Sequence, residues 1–146
     1  MMYKFLIIFF LMLPGNKPAG DPNLICGKWM SADKNLEVEV YRDHDIFKGK
    51  IIWYKDDEGK PLDYWTDKHN PDPALRSRKI LGMTVLRNMV YRAKSNTWEG
   101  GKIYDAKSGN EWDAAAKVTQ EGDLKVTGYW HFKFIGKTML FNRVKD

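Results

Sequence analysis

The stretch Leu36-Glu-Val-Glu-Val-Tyr41 decides the fold class. Leu36, Val38 and Val40 alternate with Glu37, Glu39 and Tyr41, the period-two pattern of a strand with one face in a core and one in water. Outward from it the pattern repeats. A polar break at residues 43–45 leads to a strand over 46–54, with Phe47, Ile51 and Trp53 on one side and Lys48 and Lys50 on the other. Residues 25–31 precede it as a strand. Residues 80–86 form a short apolar run, 97–105 and 110–119 flank a turn, and 123–132 alternates again, Leu124, Val126 and Trp130 against Lys125, Thr127 and His131. Residues 134–144 complete a set of eight strands.

The connections have turn chemistry. In Asp105-Ala-Lys-Ser-Gly109 the Asp105 carboxylate can accept a backbone N–H while Gly109 takes a positive φ. Glu121-Gly-Asp123 turns the next hairpin in the same way. Asp113-Ala-Ala-Ala-Lys117 has helix propensity, but it lies between two hairpin signals and reads as strand. Strands joined by short turns, with no βαβ spacing, predict an all-β, eight-stranded, antiparallel and mostly up-and-down barrel.

One connection is long, residues 55–78, and loops beyond about 12–15 residues are uncommon and often functional. Asp72 before Pro73 reads as an N-cap with proline at the first helical position, so a short helix is expected from Pro73 to Arg76 or Ser77. The loop is expected to cap one end of the barrel. Asp67, Asn70, Asp72, Arg76 and Arg78 form a polar constellation that serves either turn chemistry or a ligand.

The chain has 146 residues and a net charge of +5. Lys4 followed by nine apolar residues, 5–13, then Pro14 and Gly15, reads as a signal peptide within residues 1–20, since a bilayer span needs about 20 apolar residues. Gly15, Ala19 and Gly20 are the candidate last residues removed. Residues 21–146 are then a single exported domain, periplasmic or secreted, with no stable membrane anchor. Trimming leaves 22 cations against 19 acids, a net charge of +3 and a mixed surface that does not suit a nucleic-acid partner. One cysteine, Cys26, excludes an intramolecular disulfide.

Gly27-Lys-Trp29, Gly49-Lys-Ile-Ile-Trp53, Asp67…Asn70-Pro-Asp-Pro…Arg76, Ile80-Leu-Gly82, Gly101-Lys-Ile-Tyr104-Asp105…Ser108-Gly109, Leu124-Lys-Val-Thr-Gly128-Tyr129 and Gly136-Lys-Thr138 stand in order. Together, over about residues 24–145, they resemble the bacterial exported family called domain of unknown function twenty-one forty-seven. Ala106 and Trp112 stand where that family usually has Pro and Tyr. The resemblance implies a lipocalin-like, calycin-type barrel and supplies no catalytic residues. It also implies that Gly27, Trp29 and Arg143 occupy the positions of the Gly-x-Trp and of the basic residue on the last strand. In a closed barrel residues 25–31 then pair with 134–144, and the Arg143 guanidinium lies on the Trp29 ring.

Enzyme signatures are weak. His44, His69 and His131 lack metal-ligand spacing, and neither a Gly-x-Ser-x-Gly elbow nor a phosphate-binding glycine loop is present. Asp63, Asp67 and Asp72 are the carboxylates a hydrolase would need to bring together. No cofactor or metal is expected. The favoured function is a binding module for a small apolar or anionic ligand. Trp53, Trp65, Trp98, Tyr104 and Trp130 are candidate aromatic walls, Asp67 and Asn70 polar contacts, and Arg76 and Arg78 anion contacts. Asp72, Asp105 and Gly109 are assigned to turns and caps. An envelope structural or protein-interaction role, with the protein partner unspecified, is the alternative.

Overall fold

The computed structural model describes residues 20–130 and 136–145. The expected leader, apart from Gly20, and the readings that involve His131 and Phe134 lie outside the described residues. Eight strands close into one antiparallel up-and-down barrel, each paired with the next and the last with the first. They are β1 Gly27–Ser31, β2 Leu36–Asp43, β3 Ile46–Tyr54, β4 Thr84–Arg92, β5 Thr97–Asp105, β6 Asn110–Val118, β7 Leu124–Tyr129 and β8 Gly136–Arg143. The Ala-rich segment 113–116 is strand, as its place between hairpins requires.

Register defines the inside. Val38 pairs with Trp29 and Ile51, Val40 with Gly27 and Gly49, Ala116 with Val126, and Leu124 with Phe141. Directly opposed residues share a face. This inner set includes Trp29, Phe47, Met89, Trp98, Ala114, Val126 and Phe141, which make one buried cluster. Small residues make room for the large ones. A Cβ on Gly101 would stand 2.2 Å from the Arg87 carbonyl and 2.4 Å from the Met89 sulfur.

Two bulges correct the sequence reading. Leu36 pairs with Tyr54 and Glu37 with Trp53, but Val38 pairs with Ile51, so Ile52 is an extra residue on β3. A slip of one residue turns every side chain beyond it to the other face. Trp53 therefore shares the outer face of Glu37, and Tyr54 takes the inner position. On β4, Asn88 has φ +55° and the pairing to β3 shifts there. That break hides the period-two signal of residues 87–92. The strand expected over 80–86 in fact begins at Thr84, because Gly82, at φ +83°, belongs to the turn before it.

One end of the barrel is sealed. Residues Pro22–Ile25 form a 3-10 turn capped by the Asp21 carboxylate, which accepts the Asn23 N–H at 2.9 Å. The turn is pinned from inside the barrel. Trp98 Nε1 donates to the Pro22 carbonyl at 3.0 Å and Trp29 Nε1 to the Ile25 carbonyl at 2.9 Å. Arg143 closes the seam between β1 and β8, where it pairs with Trp29. Its guanidinium carbon lies 4.1 Å from the Trp29 ring centroid, and its Nη1 and Nη2 donate to the carbonyls of Cys26 at 2.9 Å and Leu24 at 2.5 Å. Gly27 has φ +132°, and a Cβ there would meet Arg143 Nη1 at 2.8 Å.

Candidate functional site

The opposite end is built differently. It carries the β1–β2, β3–β4, β5–β6 and β7–β8 connections, as strand order dictates. The inner face continues toward it through Leu36, Ile103, Trp112 and Met139: Ile103 pairs with Leu86 and Trp112, and Met139 pairs with Val126. Leu36, Ile103 and Met139 pack on the buried cluster yet are only half-buried themselves. Trp112 is also half-buried. Gly128 lies among them, and a Cβ there would stand 3.2 Å from Ile103 Cγ2 and 3.7 Å from Trp112 Cβ. At this end, then, inward-facing apolar side chains keep contact with solvent above a buried floor.

The long β3–β4 connection covers part of that end, where its Ile80 and Met83 pack with Leu36, Ile51 and Tyr54. Its polar middle lies against the outer wall. Asp67, fully buried, accepts from Asn70 Nδ2 at 2.8 Å, Arg78 Nη2 at 2.8 Å and the Tyr104 hydroxyl at 2.7 Å. Tyr104 pairs with Glu111 on the outward face of β5. Asp67 N–H also donates to the Arg78 carbonyl at 2.8 Å. Farther along, the His69 carbonyl sits where a Cβ on Gly109 would be, 2.0 Å away, so the absent side chain lets the loop dock on the β5–β6 turn.

Burial opposes ionisation of Asp67, but the bonds from Asn70, Tyr104 and Arg78 outweigh it and hold the carboxyl below its ordinary range. Burial, and then the hydrogen bond and charge of Asp67, push the Tyr104 phenol up to about 12. Arg78 also lies over the Tyr104 ring, 5.9 Å from its centroid. The result is an ion-paired clamp whose polar atoms satisfy one another.

The structure thus brings together Asp67, Asn70, Arg76, Arg78 and Tyr104, since Arg76 Nε donates to the Asn70 carbonyl at 2.8 Å. Asn70, Arg78 and Tyr104, with Arg87 and Glu111, line an outer groove of about 280 Å³. Arg87 and Glu111 form an ion pair across it. Trp53, Trp65 and Trp130 are not part of this group. Trp65 Nε1 donates to Asp56 at 3.1 Å, and Trp130 is 72% exposed. Trp98 fills the sealed end instead of lining a wall.

The three carboxylates have separate tasks. Asp72 accepts the Ala74 N–H at 3.0 Å and caps the 3-10 turn Pro73–Leu75, Asp67 holds the clamp, and Asp63 is exposed. Asp105 accepts from Lys107 N–H and Ser108 Oγ, both at 2.9 Å, and Gly109 has φ +72°. Among the described residues no group of three or more His, Cys, Asp or Glu is placed to hold a metal ion. Burial raises the Cys26 thiol above its usual range, which disfavours the thiolate.

Sequence reasoning missed Leu36, Ile103, Trp112 and Met139 as a set. Strand alternation marks their face, but their shared position at one end is visible only once the barrel is closed.

A family model described as "Uncharacterized protein conserved in bacteria (DUF2147)" matches residues 27–143. The chain belongs to this family. Among solved structures it is similar to protein HP1028 from the human pathogen Helicobacter pylori, which is described as belonging to the lipocalin family. The two share 25% identity over 84% of each chain, with a TM-score of 0.71. Comparison with curated proteins gave no match. The closed eight-stranded barrel is accordingly lipocalin-like.

Proposed function

We propose that this family member is an exported binding module, periplasmic or secreted, that takes a small apolar or anionic ligand into the open end of its barrel. The observation that carries the reading is the contrast between the two ends. Trp29 and Trp98 fill the interior beneath the sealing turn, whereas Leu36, Ile103, Trp112 and Met139 present half-buried apolar surface at the other end. Small-molecule sites are concave and mostly apolar, and an eight-stranded barrel is either filled by side chains or holds one small ligand. The apolar run at residues 5–13 supports export.

The test uses a neutral fluorescent probe, N-phenyl-1-naphthylamine, titrated into the protein. Saturable enhancement is expected, with weakened uptake in Gly128→Leu, whose side chain would project between Ile103 and Trp112. Absence of saturable uptake, or full uptake by a folded Gly128→Leu protein, would refute binding at this end. A second reading, a protein-interaction module, is favoured by the 72% exposure of Trp130 next to the β7–β8 connection. In that case Trp130→Ala abolishes capture of an envelope partner and leaves probe uptake intact.

A further inference from the structure

The outer groove beside the clamp holds two guanidiniums whose carboxylate partners are unlike one another. Arg78 comes from the long connection and Arg87 from β4, and both line the groove with Tyr104 and Glu111. Arg78 is fixed from behind. Its Nη2 bonds the buried Asp67 carboxylate, its carbonyl accepts the Asp67 N–H, and the neighbouring Thr66–Lys79 bridge ties the two arms of the loop together. Arg87 bonds Glu111 through Nη2 alone. Among the described residues the Nε and Nη1 atoms of both arginines make no hydrogen bond, and both side chains are exposed.

Asp67 cannot leave its arginine. It is fully buried, and its two oxygens accept from Asn70, Arg78 and Tyr104. Glu111 can leave. It is exposed, Arg87 is its one side-chain partner among the described residues, and an ion pair in such a place is weak. An arriving anion therefore meets two cations and one acid that can swing into water. A single negative charge would merely take the place of Glu111, whereas a double one offsets both guanidiniums. The planar fork of an arginine also fits the oxygens of a phosphate. The rest of the lining is uncharged, with Pro71 and Leu75 apolar on one side and the Thr84 hydroxyl on the other strand. A groove of about 280 Å³ lies just below the range of drug-sized sites, about 300–1,000 Å³, and suits a small molecule.

We propose that this groove binds a small soluble phosphate monoester, with the dianionic head between Arg78 and Arg87 and the organic part against Pro71 and Leu75. Glu111 is the resident competitor for Arg87, and it sets the preference for two charges over one. The site lies on the outer wall and does not depend on binding at the open end of the barrel.

The experiment is calorimetric titration of phenyl phosphate into the full chain at about pH 7.5, where a phosphate monoester with a second pKa near 6 is mostly doubly charged. Phenyl sulfate, of the same shape with one charge, is the comparator. Wild type should bind the phosphate about tenfold tighter than the sulfate, as expected for one added charge-assisted contact. Arg87→Gln should remove that preference, Glu111→Gln should tighten both ligands and narrow the gap between them, and added salt should weaken binding. Both variants change only exposed side chains, and their uptake of N-phenyl-1-naphthylamine should equal that of wild type. Vesicles of phosphatidylcholine and phosphatidic acid should not sediment the protein. Equal binding of phosphate and sulfate, no binding of phenyl phosphate, or affinity that survives Arg87→Gln or falls in Glu111→Gln overturns the proposal. Loss of probe uptake in Arg87→Gln overturns it by placing the ester at the open end. Sedimentation with the vesicles that requires Arg87 overturns it in favour of a lipid-borne phosphate.

Discussion

Replacing Arg143 with alanine removes three interactions at once: the ring contact to Trp29 at 4.1 Å and the bonds to the Leu24 and Cys26 carbonyls. A cation–π contact at an exposed site is worth about 0.5–1 kcal/mol. Bonds to a charged donor reach about 1.5–3 kcal/mol, but at the solvent edge about 0.5–1 kcal/mol each is the fitting figure. The expected loss is therefore about 1.5–3 kcal/mol in urea unfolding. In a domain of this size that corresponds to a fall of about 6–12 °C in melting temperature. Arg143→Lys should recover little, because the two carbonyls are gripped by a planar fork that an ammonium cannot reproduce. In a double-mutant cycle with Trp29→Leu the coupling should be at least about 0.5 kcal/mol. An Arg143→Ala protein within about 0.5 kcal/mol of wild type, or strict additivity with Trp29→Leu, would refute the argument.

Asp67→Asn keeps the shape of the clamp and removes its charge, and should cost about 2–4 kcal/mol in denaturant unfolding. Because the folded-state pKa of Asp67 is depressed, its contribution is complete above the ordinary carboxylate range. It is lost as pH falls through the folded value, so wild type and Asp67→Asn should converge in stability in strong acid. Tyr104 runs the other way. Its folded pKa is raised to about 12, so its contribution is complete below the ordinary phenol pKa near 10 and disappears as pH rises through about 12. Tyr104→Phe should flatten the alkaline limb of the stability profile, and phenolate absorbance should show a late-titrating tyrosine missing from the variant. Gly109→Ala places a methyl 2.0 Å from the His69 carbonyl at a φ of +72°, and should lower stability by more than about 1 kcal/mol while increasing proteolysis within residues 55–83.

Most of the barrel can be read from local pattern, because alternation such as Leu36 to Tyr41 reports one buried face wherever the pleat is regular. It fails where the pleat slips. Ile52 and Asn88 each add a residue that no propensity marks, so alternation alone puts Trp53 on the wrong face and hides half of β4. Capping and turn chemistry is equally local, and Asp72, Asp105 and Gly109 do what their neighbours require. The Asp67–Tyr104 bond spans 37 residues, and only the closed sheet brings those two groups together. Sequence shows Arg78 as a cation, but not the buried Asp67 carboxylate with which it pairs.

The seal at the closed end has a bearing on how the chain acquires its shape. Its turn lies near one end of the barrel's sequence, while the side chains that grip it come from β1, β5 and β8. The contacts from Trp98 and Arg143 span 76, 117 and 119 residues. Such loops must close before they return any energy, which places this fold among the slow, high-contact-order topologies. A vectorially emerging chain can form the β2–β3 and β4–β5 hairpins early, since they need only their own turns. The sealing turn has to wait for β8. Until that strand arrives the barrel remains an open sheet with two unpaired edges, the state most exposed to aggregation and to proteases.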